Sequence, residues 1–200
     1  MNDLWKGIFS GRTALKYFAV ACTFYLVLGG VAQAQSPCGT PADPGWRMKN
    51  NPSLDDQRAI TDLLSAYAWS IDDRRPSDFA ALFQEPESYY EICSTGGSLF
   101  VLTLSTNLLS GMQAITKELE DDRIQTRHFV TNTLFDVIDE KTINTKSTVL
   151  VTVQLAILEK PQLDYTADAR ATVVKDKDGN WTFRSLTIHA DTGAAVTKKR

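Results

Sequence analysis

An alternation of residue types over positions 148–157 constrains the fold of this chain more than any other feature. The odd positions are all apolar, namely Val149, Val151, Val153, Leu155 and Ile157. Three of the even positions are polar, namely Thr148, Thr152 and Gln154. Successive side chains of a β-strand point to opposite faces of the sheet. The segment is therefore predicted to be a strand that buries one face, as strands of antiparallel sheets commonly do.

Four long strands are predicted in the second half of the chain. Their expected bounds are 126–138, 143–158, 165–176 and 180–190. The dipeptide Asp178-Gly179 indicates a tight hairpin between the last two of them. A shorter strand is expected over 87–94, and 94–107 is expected to be a loop followed by a second strand or an apolar turn.

Three helices are predicted before the long strands. The first has Ser53 as its N-cap and an apolar stripe at helical spacing, formed by Ile60, Leu63, Leu64, Tyr67, Ala68 and Ile71. A short helix follows, capped by Ser77 or Asp78 and ended by Pro86, and Ser110 is expected to cap the third helix. Helices followed by antiparallel strands indicate an α+β domain whose sheet curls over the helices.

The N-terminal segment 1–34 has the pattern of a secretory signal peptide. Basic residues precede an apolar run, Phe18–Val31, which ends in Ala32-Gln33-Ala34. The run is shorter than the roughly 20 residues that a membrane span needs. Cleavage after Ala34 and export to the periplasm or the cell exterior are therefore expected, with an uncleaved membrane anchor as the alternative.

The remaining chain is expected to be an irregular arm over 35–52, one domain over 53–192 and a flexible tail over 193–200. Removal of 1–34 takes away three positive charges and one negative charge, so the net charge of −3 becomes −3 − 2 = −5. An acidic chain of this kind argues against a nucleic-acid partner.

Two cysteines, Cys38 and Cys93, remain after cleavage, whereas Cys22 leaves with the signal peptide. In an oxidising compartment such a pair is expected to form one disulfide. That bond would pin the arm to the domain, and two free thiols are the alternative.

Polar side chains occur on the inner face of the first long strand. His128 and Asn132 share a face with Val130 and Leu134 if the strand alternates regularly. His128 and Asn132 would lie about 13 Å apart at 3.3 Å per residue, so both could contact one ring-sized ligand. Tyr67 lies on the apolar side of the first helix. Tyr90 or its neighbour Tyr89 is expected to supply a second phenol from the first short strand.

The order of elements and two local patterns resemble the SnoaL-like and scytalone dehydratase-like proteins of the nuclear transport factor two-like superfamily. The patterns are LLSAYAWSIDDRRPSDFAALF, which ends its helix in an aspartate, and RIQTRHFVTNTLFDVID, which opens the long strands. The resemblance covers about residues 54–191. It implies a cone-shaped, barrel-like sheet, strongly curved around the helices, with a deep and mostly apolar internal cavity. It also implies a homodimer or homotrimer.

The resemblance further implies that Asp72 from the first helix and His128 from the first long strand meet in that cavity. Two positions differ from scytalone dehydratase: Ile71 replaces a tyrosine, and 73–127 contain no second histidine. A structural role is the alternative for each residue. Asp72 would then end its helix or pair with Arg74 or Arg75, and His128 would be a hydrogen-bonded core residue.

A carboxylate beside an imidazole fixes one tautomer of the ring, so that the other nitrogen can accept or return a proton. Such chemistry needs no metal and no cofactor, and the sequence has no metal-ligand spacing. The prediction is therefore an exported, cofactor-independent lyase or isomerase acting on a small hydrophobic oxygenated molecule. The alternatives are a non-catalytic periplasmic protein that binds such a ligand and an interaction module of an envelope complex.

Overall fold

A computed structural model describes residue 38 and residues 51–83, 86–94, 97–157 and 160–191. Within these residues the elements are α1 Leu54–Asp72, α2 Pro76–Ala81, β1 Tyr89–Ser94, β2 Gly97–Thr103, α3 Leu108–Asp121, β3 Ile124–Asp139, β4 Thr142–Leu155, β5 Gln162–Lys175 and β6 Trp181–Ala190. This α+β order of helices and long strands confirms the predicted fold class.

The six strands form one sheet in the order β2-β1-β6-β5-β4-β3. The four long strands make antiparallel pairs, as predicted. The pair β1–β6 is parallel, so the prediction of a wholly antiparallel sheet is wrong there. The physical reason is that β1 follows α2, whereas β6 follows β5, so no hairpin that would impose an antiparallel direction joins β1 to β6.

The sheet is curved but not closed, since β2 and β3 are its two edges. Register shifts interrupt several strand pairs, including β3–β4 after Thr131, β4–β5 at Val151 and β5–β6 at Thr172. An extra residue in one strand bends that strand and increases its twist. These bulges let the long strands curve around the helical side of the domain.

Helix α1 begins where Ser53 accepts a hydrogen bond from the backbone N–H of Asp56, as the sequence predicts. Its apolar stripe is buried against the inner face of the sheet through Ile60, Leu64 and Tyr67. The inner face of β5 adds Ala167, Ala169, Ala171 and Val173 to the same core. Small alanines leave room for the large rings of Tyr67 and of its aromatic neighbours.

Two predicted helix caps are wrong. In α2 the N-cap is Arg75 rather than Ser77 or Asp78, because Pro76 occupies the first helical position, for which its fixed φ and missing N–H suit it. That helix also ends at Ala81, well before Pro86.

In α3 the N-cap is Asn107 rather than Ser110. Its side chain accepts a hydrogen bond from the backbone N–H of Thr103, and the buried Leu108 opens the helix.

The alternation of β4 holds for Val149, Val151 and Val153, which are all buried. It fails at Ile157, which is 85% exposed because β4 ends at Leu155 and the chain turns there.

Cys38 and Cys93 form a disulfide, which confirms the predicted pairing. Their Cα atoms lie 5.5 Å apart, and 55 positions separate them in the sequence. Cys93 is in β1 next to the buried Glu91, so the bond ties the chain at residue 38 to the outer face of the sheet.

The predicted signal peptide, most of the predicted arm and the predicted tail lie outside the described residues. Among the helices that are described, none has the length and apolar character required to cross a membrane.

Candidate active site

Asp72 is the last residue of α1, and its side chain contacts the start of β3. The chain leaves the helix through Asp73 and through Arg74, which has a left-handed backbone with φ 56°. The side chain of Asp72 is only 4% exposed. A charged group that is removed from water to this extent requires hydrogen-bond partners.

Three donors from β3 surround the carboxylate of Asp72. The hydroxyl of Thr126 donates to Oδ1 over 2.9 Å, and the backbone N–H of His128 donates to Oδ2 over 2.8 Å. Nδ1 of the His128 ring lies 2.6 Å from Oδ1. Thr126 and His128 are two positions apart on one strand, so both side chains point to the same inner face.

Polar contacts beside the pair fix the helix end to the strand. Gln125 donates through Nε2 to the carbonyl oxygens of Asp72 and Thr126, each over 2.9 Å. Arg74 donates through Nη2 to the carbonyl of Ile124 over 2.6 Å. Arg75 instead pairs with Asp78. The alternative in which Asp72 pairs with Arg74 or Arg75 is therefore wrong.

Two opposing effects act on the carboxyl of Asp72. Burial by itself raises its pKa. The ring of His128, through its hydrogen bond and its charge, acts the other way, as do the hydrogen bonds from the His128 N–H and from Thr126. Together they hold the pKa below its ordinary value of 3.8. The ionised carboxylate accepts from Nδ1–H, which leaves Nε2 as the reactive nitrogen of the ring. Among the described residues, no hydrogen bond involves Nε2.

One phenol lies next to the ring of His128, and a second phenol lies next to the first. Tyr67 is in edge contact with the ring of His128 at a centroid distance of 6.3 Å, and the hydroxyl oxygens of Tyr67 and Tyr90 are 3.4 Å apart. Tyr90 is buried and faces inward, whereas Tyr89 lies on the outer face opposite Ser185, which settles the register of β1. Burial raises the pKa of Tyr90 to about 12 and raises that of Tyr67 as well. Both groups are therefore neutral hydrogen-bond donors.

Asn132 does not share a face with His128, so the predicted geometry is wrong at this position. Thr131 pairs with Thr148, but Leu134 pairs with Lys146, which leaves one extra residue in β3. Asn132 adopts a left-handed backbone with φ 54° and is exposed. Thr133 takes the inner position instead and forms a hydrogen bond with Ser147 over 2.9 Å. The bulge thus reverses the alternation on which the prediction rested.

Two other features, the second histidine and a surface depression, lie outside this site. His189, the second histidine of the chain, lies on the outer face between Cys93 and Asp168. A shallow depression of about 400 Å³ between α1 and the β5–β6 turn is lined by residues that include Ala59, Leu63 and Trp181, and it does not reach Asp72 or His128. The internal cavity implied by the resemblance stays a prediction.

One group of potential metal ligands occurs in the part of the chain that is described, and it consists of Cys38, Glu91 and Cys93. The two cysteines are joined to each other, so their thiolates are not available to a metal ion.

Sequence reasoning missed Gln125 and Thr126, which donate hydrogen bonds to the backbone carbonyl and to the side chain of Asp72, respectively. The contribution of Thr126 could have been predicted from its position two residues before His128, because regular alternation places both side chains on one face. The role of Gln125 could not be predicted, since its amide donates to backbone oxygens that any residue type supplies.

The sequence of residues 52–187 matches the SnoaL-like domain family. The chain belongs to the SnoaL-like family. The match includes both halves of the Asp72–His128 pair and every described element except the end of β6. No curated protein matches the sequence.

Solved structures share the SnoaL-like fold. ActVI-ORFA from Streptomyces coelicolor is 17% identical, with a TM-score of 0.59, over 70% of this chain and 98% of that chain. Aln2 from a Streptomyces species is 24% identical, with a TM-score of 0.59, over 70% and 94%. A putative scytalone dehydratase from Novosphingobium aromaticivorans is 23% identical, with a TM-score of 0.55, over 70% and 86%.

Proposed function

We propose that this SnoaL-like protein is an exported, cofactor-independent lyase or isomerase that acts on a small hydrophobic molecule with a carbonyl group. His128 is the acid/base and Asp72 is its orienting partner. The observation that carries the proposal is the 2.6 Å contact between Nδ1 of His128 and Oδ1 of Asp72, with side chains that are 7% and 4% exposed.

The geometry around the ring suits proton transfer at carbon. Nε2 of His128 takes a proton from the carbon next to the carbonyl, and a phenol of the Tyr67–Tyr90 pair donates to the carbonyl oxygen as negative charge develops there. One of the two phenols donates to the other, so the second retains a proton for the substrate. Loss of a β-hydroxyl then gives a lyase, and return of the proton to another carbon gives an isomerase.

Two features support a substrate that is largely apolar. Tyr67 contacts the ring of His128, and Phe79 and Tyr90 pack against Tyr67, with all three side chains buried. The SnoaL-like neighbours include a protein described as a putative scytalone dehydratase. A buried acid/base pair in such surroundings acts on a substrate that gives up its hydration shell on binding.

Turnover of a generic β-hydroxy ketone tests the proposal. The aldol adduct of benzaldehyde and acetone loses water to give benzalacetone, which is followed by its ultraviolet absorbance. We expect His128→Gln to lower the rate by roughly 10²-fold to 10⁴-fold, the usual contribution of one positioned proton-transfer group. His189→Gln is the matched control and should leave the rate unchanged. Equal rates for the wild-type protein and His128→Gln would refute the acid/base role.

The binding-protein alternative makes a different prediction. It requires that the wild-type protein retain a small molecule through purification, detected by mass spectrometry, and that His128→Gln retain it equally without any turnover by either protein.

A further inference from the structure

A second carboxyl group lies on the inner face of the sheet, at a bulge in β5. Leu163 pairs with Thr152 and Tyr165 pairs with Val151, so two residues of β5, Asp164 and Tyr165, lie opposite one residue of β4. An insertion of this kind redirects a side chain.

The neighbours of Asp164 show which face it occupies. Val151 is buried on the inner face, and Tyr165 packs against the core beside it. Leu163 is 61% exposed on the opposite face. Because Leu163 and Tyr165 face opposite sides although they are two positions apart, one of the two steps between them does not change face. Asp164 is half-buried whereas Leu163 is exposed, so the step without a change of face is the one from Asp164 to Tyr165, and both side chains lie on the inner side.

The same register brings Asp164 near the acid/base pair. His128 pairs with Val151, and Val151 pairs with Tyr165, so the three residues form one row across β3, β4 and β5. Neighbouring strands are about 4.8 Å apart, which puts the backbone of β5 about 10 Å from that of His128. Side chains that extend from the two ends of this row can approach one substrate from two sides.

We infer that Asp164 is a second catalytic residue of this site, the acid that gives a proton to the leaving hydroxyl of a β-hydroxy carbonyl substrate while His128 takes the proton from the adjacent carbon. This inference rests on the proposed function and assigns the acid that its lyase form requires.

The step is balanced by these two groups. Nε2 of His128 removes the proton, and the electrons of the C–H bond form the new C=C bond. The C–O bond breaks, both of its electrons stay on oxygen, and the proton of Asp164 converts that oxygen into water. The enone and water then depart, the imidazolium of His128 gives its proton to solvent water, and the carboxylate of Asp164 takes one from it.

The environment of Asp164 favours this role. Burial raises the pKa of Asp164 above 3.8, and the charge of the His128 ring opposes that shift only in part. Burial and hydrogen bonding act in the opposite net direction on Asp72, whose pKa is lowered. When the surroundings of two carboxyl groups shift their pKa values in opposite directions, one group can act as an acid while the other remains an anion.

A change of leaving group tests the inference. Chloride leaves with its bonding electrons and needs no proton, so the β-chloro ketone that matches the benzaldehyde–acetone adduct bypasses the acid. We expect Asp164→Asn to lower turnover of the hydroxy ketone by roughly 10²-fold and to leave turnover of the chloro ketone unchanged, whereas His128→Gln lowers both. Asp168→Asn is the matched control, since Asp168 lies on the same strand and pairs with Lys146 over 3.0 Å on the outer face.

A measurement without turnover tests the placement itself. The carboxyl titration of Asp164, followed by ¹³C NMR, should have its midpoint above 3.8 and should move higher in His128→Gln, because a nearby positive charge is lost. His189→Gln should leave the midpoint unchanged. A midpoint insensitive to His128→Gln overturns the inference. Loss of turnover in His128→Gln together with full hydroxy-ketone turnover in Asp164→Asn also overturns it and leaves the proposed function standing.

Discussion

At the scale of single residues, the carboxylate of Asp72 joins two distant parts of the chain. It binds Thr126 and His128, which follow it by 54 and 56 positions. It thereby supports the start of β3 and, through Nδ1, the tautomer of the ring that the proposed chemistry uses. Structural and chemical roles therefore coincide in one buried group, and a substitution there should affect both.

We expect Asp72→Asn to lower the free energy of unfolding by about 2 kcal/mol, because a buried ion loses hydrogen bonds from three donors. The ring of His128 should also lose its single tautomer, which ¹⁵N NMR of the imidazole reports. Asp73→Asn is the matched control, since Asp73 is adjacent but exposed. A variant with wild-type stability and wild-type imidazole shifts would contradict the assignment.

The stability that Asp72 contributes should depend on pH. Its pKa is lower in the folded chain than the ordinary value of 3.8, so the native state binds fewer protons in that range. The contribution is therefore fully present above 3.8 and is lost as the pH falls through the lowered folded value. Denaturant unfolding of the wild-type protein and Asp72→Asn should show a difference that shrinks on acidification, and a difference that grows would be inconsistent with a lowered pKa.

At the scale of elements, regular periodicity predicts the long helix and the strands, but it does not predict where their alternation changes. Asp72 and His128 could be predicted because the helix before Asp72 and the strand around His128 keep their regular spacing of apolar residues as far as the site. Asn132 and Asp164 could not, because each lies at a bulge whose position depends on the bending of the assembled sheet. The predicted N-cap of α2 is wrong for a local reason, because Pro76 prefers the first helical position.

The start of α1 is fixed to the far end of the sheet by Asp56. Its Oδ1 accepts from Nζ of Lys175 and from Nε1 of Trp181, each over 2.9 Å, and Ser53 donates to Oδ2 over 2.8 Å. The first of these contacts, with Lys175, contributes most to lowering the pKa of Asp56.

We expect Asp56→Ala to lower the free energy of unfolding by about 2 kcal/mol, because the indole N–H and the ammonium lose a charged partner. Urea unfolding measures the change. Asp55→Ala is the control, because Asp55 is exposed in the same helical turn and should change stability by less than about 0.5 kcal/mol. Equal losses for the two variants would mean that Asp56 acts only through the helix dipole.

At the scale of the whole molecule, the Cys38–Cys93 bond joins positions 55 residues apart, and the loop that it closes contains α1 and α2. A crosslink over such a distance restricts the unfolded chain by an amount worth about 4 kcal/mol in the chain-entropy description.

We expect the double variant Cys38→Ser, Cys93→Ser to lose about 2–4 kcal/mol of unfolding free energy and to unfold at a lower temperature. Wild-type protein treated with a reductant should match the double variant, and the double variant should not respond to the reductant. An oxidised protein with the same melting temperature as the double variant would show that the crosslink contributes no stability.

The parallel pairing of β1 with β6 also governs the order of assembly during synthesis. Tyr89 finds its partner Ser185 only after β6 has been made, so the β1–β2 hairpin and the three-stranded β3–β5 unit stay separate until β6 joins them. Contacts between residues so far apart in sequence form slowly. The sheet of this domain therefore cannot be completed on a nascent chain until β6 leaves the ribosome.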